Sequence, residues 1–434
     1  RSSDTSLYGL KIVGVVDGMS EAADIELQSE FNVPSPVILG QHLGVDLTGH
    51  GPYGVQGMLT GNNKYFNFQG SASVGRTKSD MTLKVMEKNG KPFVQGQLSI
   101  PVLYLTDIGS TIETTEQAPS AVAHWFDIRK WLARKKQKTT SDGDRYLFAS
   151  ESLDFSRLQS VDLDLGISID EIEGADYSVE QVNGELKVID GLLRVSPFKL
   201  VFEKGEMNLE LVLETQEVPE LTLKIEADEL ILGQLLSQVQ SEVRIKGKAS
   251  LLIDINSKGL SAHEMASALS GNFRFSFDDA RLPSKYVEFL SVDVLGWVMR
   301  KSMLEDTYTQ LDCIMVDFDI HQGVAKSQSM IAAGPNLFIN GAVTVDLGEE
   351  SLDMILLPRQ KNNFFSRMPP VKINGPLRDP LVQALPKKAA ATTIAATVLM
   401  PGVIVPVYVI DKFWHRGEKG ASVCADFVEK QGAQ

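Results

Sequence analysis

Six histidines, two cysteines and one group of aspartates are the residues of this 434-residue chain whose types could do chemistry. None of His42, His50, His124, His263, His321 and His415 forms a two-histidine metal motif or neighbours a carboxylate–nucleophile arrangement. Asp162, Asp164 and Asp170 share one strand face, which suggests a calcium site. On an antiparallel sheet, however, such a row is ordinarily the solvated side. Gly51, Gly54 and Gly57 look like a phosphate-cradling loop, but no helix start follows, so a turn is expected. Neither a Gly-x4-Gly-Lys-Ser/Thr loop nor a Gly-x-Ser-x-Gly elbow occurs. Cys313 and Cys424 are too few for a disulfide framework or a four-thiolate metal site. They could close one bridge or stand as two inert thiols, and the second is the simpler expectation. These residues point to no catalytic group, no metal and no cofactor. The chain reads as a non-enzyme.

Composition narrows the class further. The 42 basic and 56 acidic residues give a formal charge of −14, which argues against nucleic acid as a partner. Apolar residues make up 43%, enough for a real core, while aromatics are only 7% and Val, Ile, Leu, Thr and Ser are plentiful. The chain opens Arg1-Ser2-Ser3-Asp4 without a leader and is soon patterned, so it reads as a piece of a longer protein.

Period-two alternation dominates. Val161, Leu163, Leu165, Ile167 and Ile169 alternate with polar residues or glycine. So do Met207, Leu209, Leu211 and Leu213, then Leu221, Leu223 and Ile225. Val243, Ile245, Ala249, Leu251, Ile253 and Ile255 follow, then Phe273, Phe275 and Phe277, then Val343, Val345 and Leu347. Successive strand side chains point to opposite faces, so each run has an apolar face and a wet one, as in antiparallel sheet. Asn89-Gly90, Asn183-Gly184, Asp190-Gly191, Lys204-Gly205 and Lys258-Gly259 read as the joints of a meander. A weak repeat, glycine then strand–turn–strand, begins near Gly75, Gly205 and Gly341.

The fold expected is all-β, a long antiparallel sheet curved into a groove, half-pipe or flattened barrel, with a few short helices including a C-terminal one. Its apolar face could be lined by Leu163, Ile167, Leu211, Leu223, Ile245, Leu251, Ile253, Phe275, Val343 and Val345. Such a lining would take acyl chains if open and form a sandwich core if filled.

Two stretches break the pattern. Within 112–144, Ala121–Lys138 places Trp125, Ile128, Trp131 and Leu132 at helical spacing among basic residues. It is either a headgroup-touching amphipathic helix or a connector with one greasy turn, the plainer reading. Ala389–Ile410 carries no charge, but Pro401-Gly402 and Pro406 interrupt it. A sheet-capping helix ending near Met400 is expected. The alternative is membrane contact with Tyr408, Phe413 and Trp414 near the interface.

From Arg145 the chain reads RYLFASESLDFSRLQSVDLDLGISID. Phe148, Leu153, Asp154, Leu158 and Asp162 hold the places of a phrase that opens the C-terminal half of AsmA-family proteins. Asn183-Gly184-Glu185-Leu186, Ser196-Pro197-Phe198, Gly259-Leu260-Ser261 and Leu269-Ser270-Gly271 follow in family order. Asp346-Leu347, Leu352-Asp353, Lys372-Ile373-Asn374-Gly375-Pro376-Leu377 with Asp379-Pro380, and a late Cys424 close the series. The likeness covers about 145–430 and, more weakly, 60–110; it rests on the order of the phrases. The domains then read as 1–111, an N-terminal part of the β body; 112–144, a connector; 145–385, the AsmA-like region; and 386–434, an apolar tail.

The resemblance implies a periplasmic protein held to the inner membrane by an N-terminal anchor outside this chain. It implies a groove similar to those of bridge-like lipid transfer proteins, with phospholipid acyl chains as ligand and roles in outer-membrane biogenesis and phospholipid transport. Membrane surfaces or envelope proteins would be further partners. The competing expectation is a structural factor that influences outer-membrane protein targeting or assembly through protein contacts.

Overall fold

The computed structural model describes residues 9–17, 24–34, 52–62, 64–107, 147–173, 179–202, 205–231, 246–283, 308–335, 337–360 and 370–384. The expected antiparallel β architecture is what these residues form. The chain divides into two units, one comprising Arg1–Ala118 and Asp154–Ile225, the other Pro119–Leu153 and Glu226–Gln434.

The first unit contains β1 (Gly9–Asp17), β2 (Asp24–Val33), β3 (Tyr53–Gly61), β4 (Tyr65–Val74), β5 (Thr77–Lys88) and β6 (Lys91–Tyr104). A five-residue helix α1 (Ser156–Ser160) precedes β7 (Asp162–Glu173), β8 (Val179–Ile189), β9 (Leu192–Phe202) and β10 (Glu206–Glu214). Ladders join consecutive strands antiparallel, except that β6 and β7 run parallel. The exception departs from a simple meander. A parallel pair needs a long connection, and the stretch after β6 supplies one.

The unit boundary falls within β11 (Glu220–Ile231). The second unit contains β12 (Lys246–Lys258), α2 (Ala262–Ala268), β13 (Ser270–Pro283), β14 (Tyr308–His321) and β15 (Val324–Ala333). It continues with β16 (Leu337–Asp346), β17 (Ser351–Gln360), β18 (Val371–Pro376) and β19 (Leu381–Ala384), every pair antiparallel.

Turn chemistry explains much of this order. Asn89-Gly90 and Asp190-Gly191 take positive φ at both residues and close the β5–β6 and β8–β9 hairpins. Gln322-Gly323 does the same between β14 and β15, a joint the expected dipeptides did not include. Two glycine expectations fail. Asn183-Gly184 lies inside β8, and Gly54 and Gly57 lie inside β3 rather than in a turn. The repeat also weakens: Gly75 and Gly205 occupy positive-φ positions before strands, whereas Gly341 is internal to β16.

The second unit is tied to the segment that opens the family-like phrases. Ser261 caps α2 by accepting from the Glu264 N–H at 3.2 Å, and the Glu264 carboxylate accepts from the Leu260 N–H at 2.7 Å. This pair of bonds, in which Glu264 reaches back to the residue before the N-cap, fixes the helix start. Against it, Leu153 N–H donates to Leu260 O at 2.8 Å and His263 N–H to Ala149 O at 3.0 Å. The buried Glu350 carboxylate accepts from the Phe148 N–H at 2.7 Å and from Leu147 N–H. Cys313 is disulfide-bonded, which overturns the expectation of two inert thiols. Sequence spacing says nothing of which distant residues a fold brings together. Cys424, the connector 112–144, Ile245 and the tail from 385 lie outside the described residues.

In the first unit, buried Asp107 clamps the start of β5. Its carboxylate accepts from Arg76 N–H at 2.7 Å, Thr77 N–H at 2.8 Å and the Thr77 hydroxyl at 3.2 Å. Burial alone would raise its pKa, but the hydrogen bonds from Thr77 and Arg76 outweigh it and hold the carboxyl below its ordinary value. A depressed folded-state pKa stabilises above the unfolded value and loses that stabilisation as pH falls through the folded one. Asp107→Ala should therefore cost about 1–3 kcal/mol at neutral pH by orphaning buried N–H donors. Urea titrations at several pH values should show the gap between wild type and variant narrowing once pH drops below the ordinary carboxylate range of about 4.

Candidate functional site

The candidate site is the apolar face of the sheet, and ladder register decides which residues share it. In the first unit, cross-strand partners run Leu27, Leu59, Phe68, Leu83, Gly96, Leu165, Leu186, Val195 and Leu211 from β2 to β10. A second row runs Phe66, Val85, Val94, Leu163, Val188, Leu193 and Leu213. Eight strand spacings of about 4.8 Å make the longer row roughly 38 Å measured across the ladders. The opposite face carries Gln28, Gln56, Gln69 and Gln97 around a shallow polar hollow of about 620 Å³.

The longer row is half-buried throughout, whereas the second runs from exposed Phe66 to buried Val188 and Leu213. Ile25, Leu27, Phe31, Leu83, Val85, Leu98, Leu163 and Ile167 are all half-buried. Burial is complete at Ile169, Val179 and Val182, against which Ile100, Leu103, Ile167, Phe198 and Leu200 pack.

Two glycines shape this face. A Cβ on Gly184 would collide with the Phe198 ring, so the residue read as a turn instead makes room for an aromatic on the neighbouring strand. Gly57 pairs with Gly70, and a Cβ there would lie 2.7 Å from the Phe68 ring and 2.8 Å from the Gly70 Cα. Both are close approaches that a side chain would forbid. Phrases far apart in sequence, Asn183–Leu186 and Ser196–Phe198, meet through the first of them.

In the second unit the register gathers Leu251, Ile253 and Ile255 of β12 with Phe275, Phe273 and Gly271 of β13. Val316, Phe318 and Ile320 of β14 continue the face. Toward β18 it is filled. Ile320, Ala325, Val343 and Val345 form one buried cluster with Phe273, Phe318, Leu352 and Met354 around it. Ile339, Leu356, Val371 and Ile373 form another. Where the β15–β16 ladder skips between Lys326 and Ile331, the Ser327 hydroxyl accepts from the Val343 N–H at 2.8 Å and satisfies it.

Of the residues expected to line the face, Leu163, Ile167 and Leu211 lie in the first unit and are half-buried. Leu223 is half-buried in β11. Leu251, Ile253 and Phe275 are half-buried in the second unit, where Val343 is 4% exposed and Val345 is also buried. Ile245 lies outside the described residues, as do Trp125, Trp131, Tyr408 and Trp414. Leu27, Leu59, Phe68 and Leu83 join the face without having been expected there, although Met81, Leu83 and Val85 carry the same alternation.

The aspartates do not converge. Asp162 is buried and accepts from the Asp190 N–H at 3.0 Å, fastening the β8–β9 turn rather than facing solvent. Asp164 lies 3.7 Å from Lys187, and Asp170 is exposed. Among the described residues there is no His/Cys/Asp/Glu group able to hold a metal, and no helix is long and apolar enough to cross a membrane.

A family model described as "AsmA family" matches residues 39–330. That match reaches further toward the N-terminus than the resemblance read from phrases, and it stops before the closing ones. The chain is 21% identical over 407 residues to the AsmA family protein YhjG of Escherichia coli (strain K12), covering 89% of this chain and 57% of that protein. It thus spans little more than half the length of that relative. No solved structure matches.

The contrast in burial is measurable. Val343→Asp places an unpartnered charge in a filled cluster and should cost about 3–5 kcal/mol. Leu83→Asp, on the half-open face, should cost only about 1–2 kcal/mol. Thermal melts of the two variants compare them directly; equal losses would mean that both faces are packed alike.

Proposed function

We propose, from the premise that this chain belongs to the AsmA family, that it is a non-enzymatic protein of the bacterial cell envelope whose apolar sheet face holds phospholipid acyl chains. Family membership supports the envelope-associated role. The observation that carries the lipid reading is the half-buried apolar row of the first unit from Leu27 to Leu211, unbroken across nine strands apart from Gly96. Apolar surface of this extent ordinarily acquires a cover. Each methylene fully moved from water onto it contributes about 0.8 kcal/mol, so a dozen contribute roughly 10 kcal/mol, the same order as the loss of freedom on binding. The chemistry needs no charged site: a headgroup stays in water while the chains lie across the strands, along the rows.

The disulfide at Cys313 supports an oxidising compartment, and the periplasm is the one that suits the family. In this reading the protein attaches to the inner membrane and conducts phospholipid in support of outer-membrane biogenesis. A second reading has its own observation. β1 pairs with β2 yet leaves Leu10, Ile12, Val13, Val15 and Val16 exposed on both its faces. A protein partner adding a strand would cover them, and an assembly factor for outer-membrane proteins would work that way.

Photo-crosslinking residues placed at Leu83 and Leu163 distinguish the two readings. Lipid adducts at both, recovered by mass spectrometry from protein purified out of an envelope fraction, are the expected result. Adducts to protein alone, concentrated near β1, would replace the lipid reading with the second.

A further inference from the structure

The polar face of the first unit changes character along its length. From β7 to β10 it sets charge against charge, as solvated surfaces ordinarily do. Lys187 lies 2.8 Å from Glu185 and 3.7 Å from Asp164, and Lys199 lies 2.6 Å from Glu206. From β2 to β6 amides and hydroxyls take over. Ladder register sets Gln28, Met58, Gln69, Thr82 and Gln97 in one row across these five strands. Glu30, Gln56, Ser71, Asp80 and Ser99 form the row beside it. The two rows hold two carboxylates and no cation.

They line the hollow of about 620 Å³, which continues through Gln69, Thr82 and Gln97 into a second of about 380 Å³. Five strands are four spacings, roughly 19 Å, and the rows stand about 7 Å apart, so the footprint is long and narrow. The Gln56 amide donates to the Ser71 hydroxyl at 3.2 Å. Gln28, Gln69 and Gln97 are exposed, and their amides make no hydrogen bond among the described residues.

Amides and hydroxyls both donate and accept, so the rows suit an uncharged ligand that does the same at every step. The Glu30 and Asp80 carboxylates add strong acceptors for hydroxyl donors. Met58, 39% exposed within the first row, and Tyr65, 38% exposed on the same face beyond Asn67, offer apolar surface to the C–H faces of sugar rings. Other occupants fit poorly. A polyanion would meet two carboxylates and no cation in either row. An apolar chain would strip water from amides that it cannot pair. An added strand would find no free edge, since each of β2–β6 is paired on both sides.

We propose that the polar face of β2–β6 binds a neutral glycan strand, laid across the strands along the two amide–hydroxyl rows. The site lies opposite the proposed acyl-chain row and does not depend on it.

Isothermal titration of the full chain with two neutral hexasaccharides, chitohexaose and maltohexaose, tests this; the first carries acetamido groups and the second only hydroxyls. Saturable binding of at least one is expected, unchanged between about 0.05 and 0.5 M salt, because an uncharged ligand leaves nothing to screen. Replacing Gln69→Ala and Gln97→Ala together should weaken it at least about tenfold through the lost hydrogen bonds. Both positions are exposed and face away from Leu83, so thermal melting and lipid crosslinking at Leu83 should match the wild type. Binding of neither hexasaccharide would overturn the proposal. So would binding that falls steeply with salt, or that survives the double substitution. Glycan binding in protein that gives no lipid adduct at Leu83 would uphold this site and remove the lipid reading alone.

Discussion

Everything this protein presents depends on phase: which side of the sheet each second residue faces. A strand has a period of two, so a slip of one residue in any ladder would move a whole apolar row into water and a polar row inward. Chain alternation alone cannot hold that phase over many strands, because it breaks in several places. Bulges repair it. Val195 and Phe198 are three residues apart and should face opposite ways, yet their partners Leu211 and Leu209 lie on one face. The extra residue is absorbed at Ser196-Pro197, where a proline that could not donate to a ladder is tolerated. Between Asp317 and Phe318, β15 gains one residue in the same way, so that Met330 and Ala325 return to one side.

This is also where sequence reading reaches its limit. The clean alternations, Val161–Ile169 and Phe273–Phe277, announced their strands and faces, and Asn89-Gly90 and Asp190-Gly191 announced their hairpins. Asn183-Gly184 carried the same local signal and meant something else, because Phe198 required the space above Gly184. A dipeptide cannot reveal that need, which arises only once β8 and β9 are in register. The parallel β6–β7 pair was hidden for a related reason. Pairing partners separated by a long connector leave no trace in either strand's own pattern. Asp162 belongs to the same class: its neighbours suggested a solvated row, and the β8–β9 turn drew it inward.

The two units use one pattern for different ends. In the second, aromatic and branched residues fill the space between rows: Phe273 and Phe318 stand with ring centroids 6.2 Å apart beside the Ile320–Val345 cluster. A face so filled is a core, and its worth is stability. In the first unit the corresponding positions hold Gly57, Gly70, Gly96 and Ser29, which contribute little bulk above the strands. The side chains on either side stay half-accessible because their neighbours are too small to cover them. Periodicity registers that a position is apolar or small; it does not register volume, so groove and core share one signature.

Volume is what separates the readings of this face. A filled row gains its stabilisation on folding and has none left for a ligand, whereas a half-covered row keeps part of its apolar surface in water after folding is complete. That remaining surface is a standing cost which any apolar occupant relieves, whatever its headgroup or sequence. Selectivity in such a site comes from length and continuity rather than from a polar constellation. A row continuous from Leu27 to Leu211 offers an extended acyl chain similar contacts at each successive strand. A single side chain from a protein partner could satisfy only one or two of those positions. The physical asymmetry between a chain-like occupant and a point-like one is what the proposed lipid reading rests on along β2–β10, and it weakens at β1, where apolar side chains stand exposed on both faces.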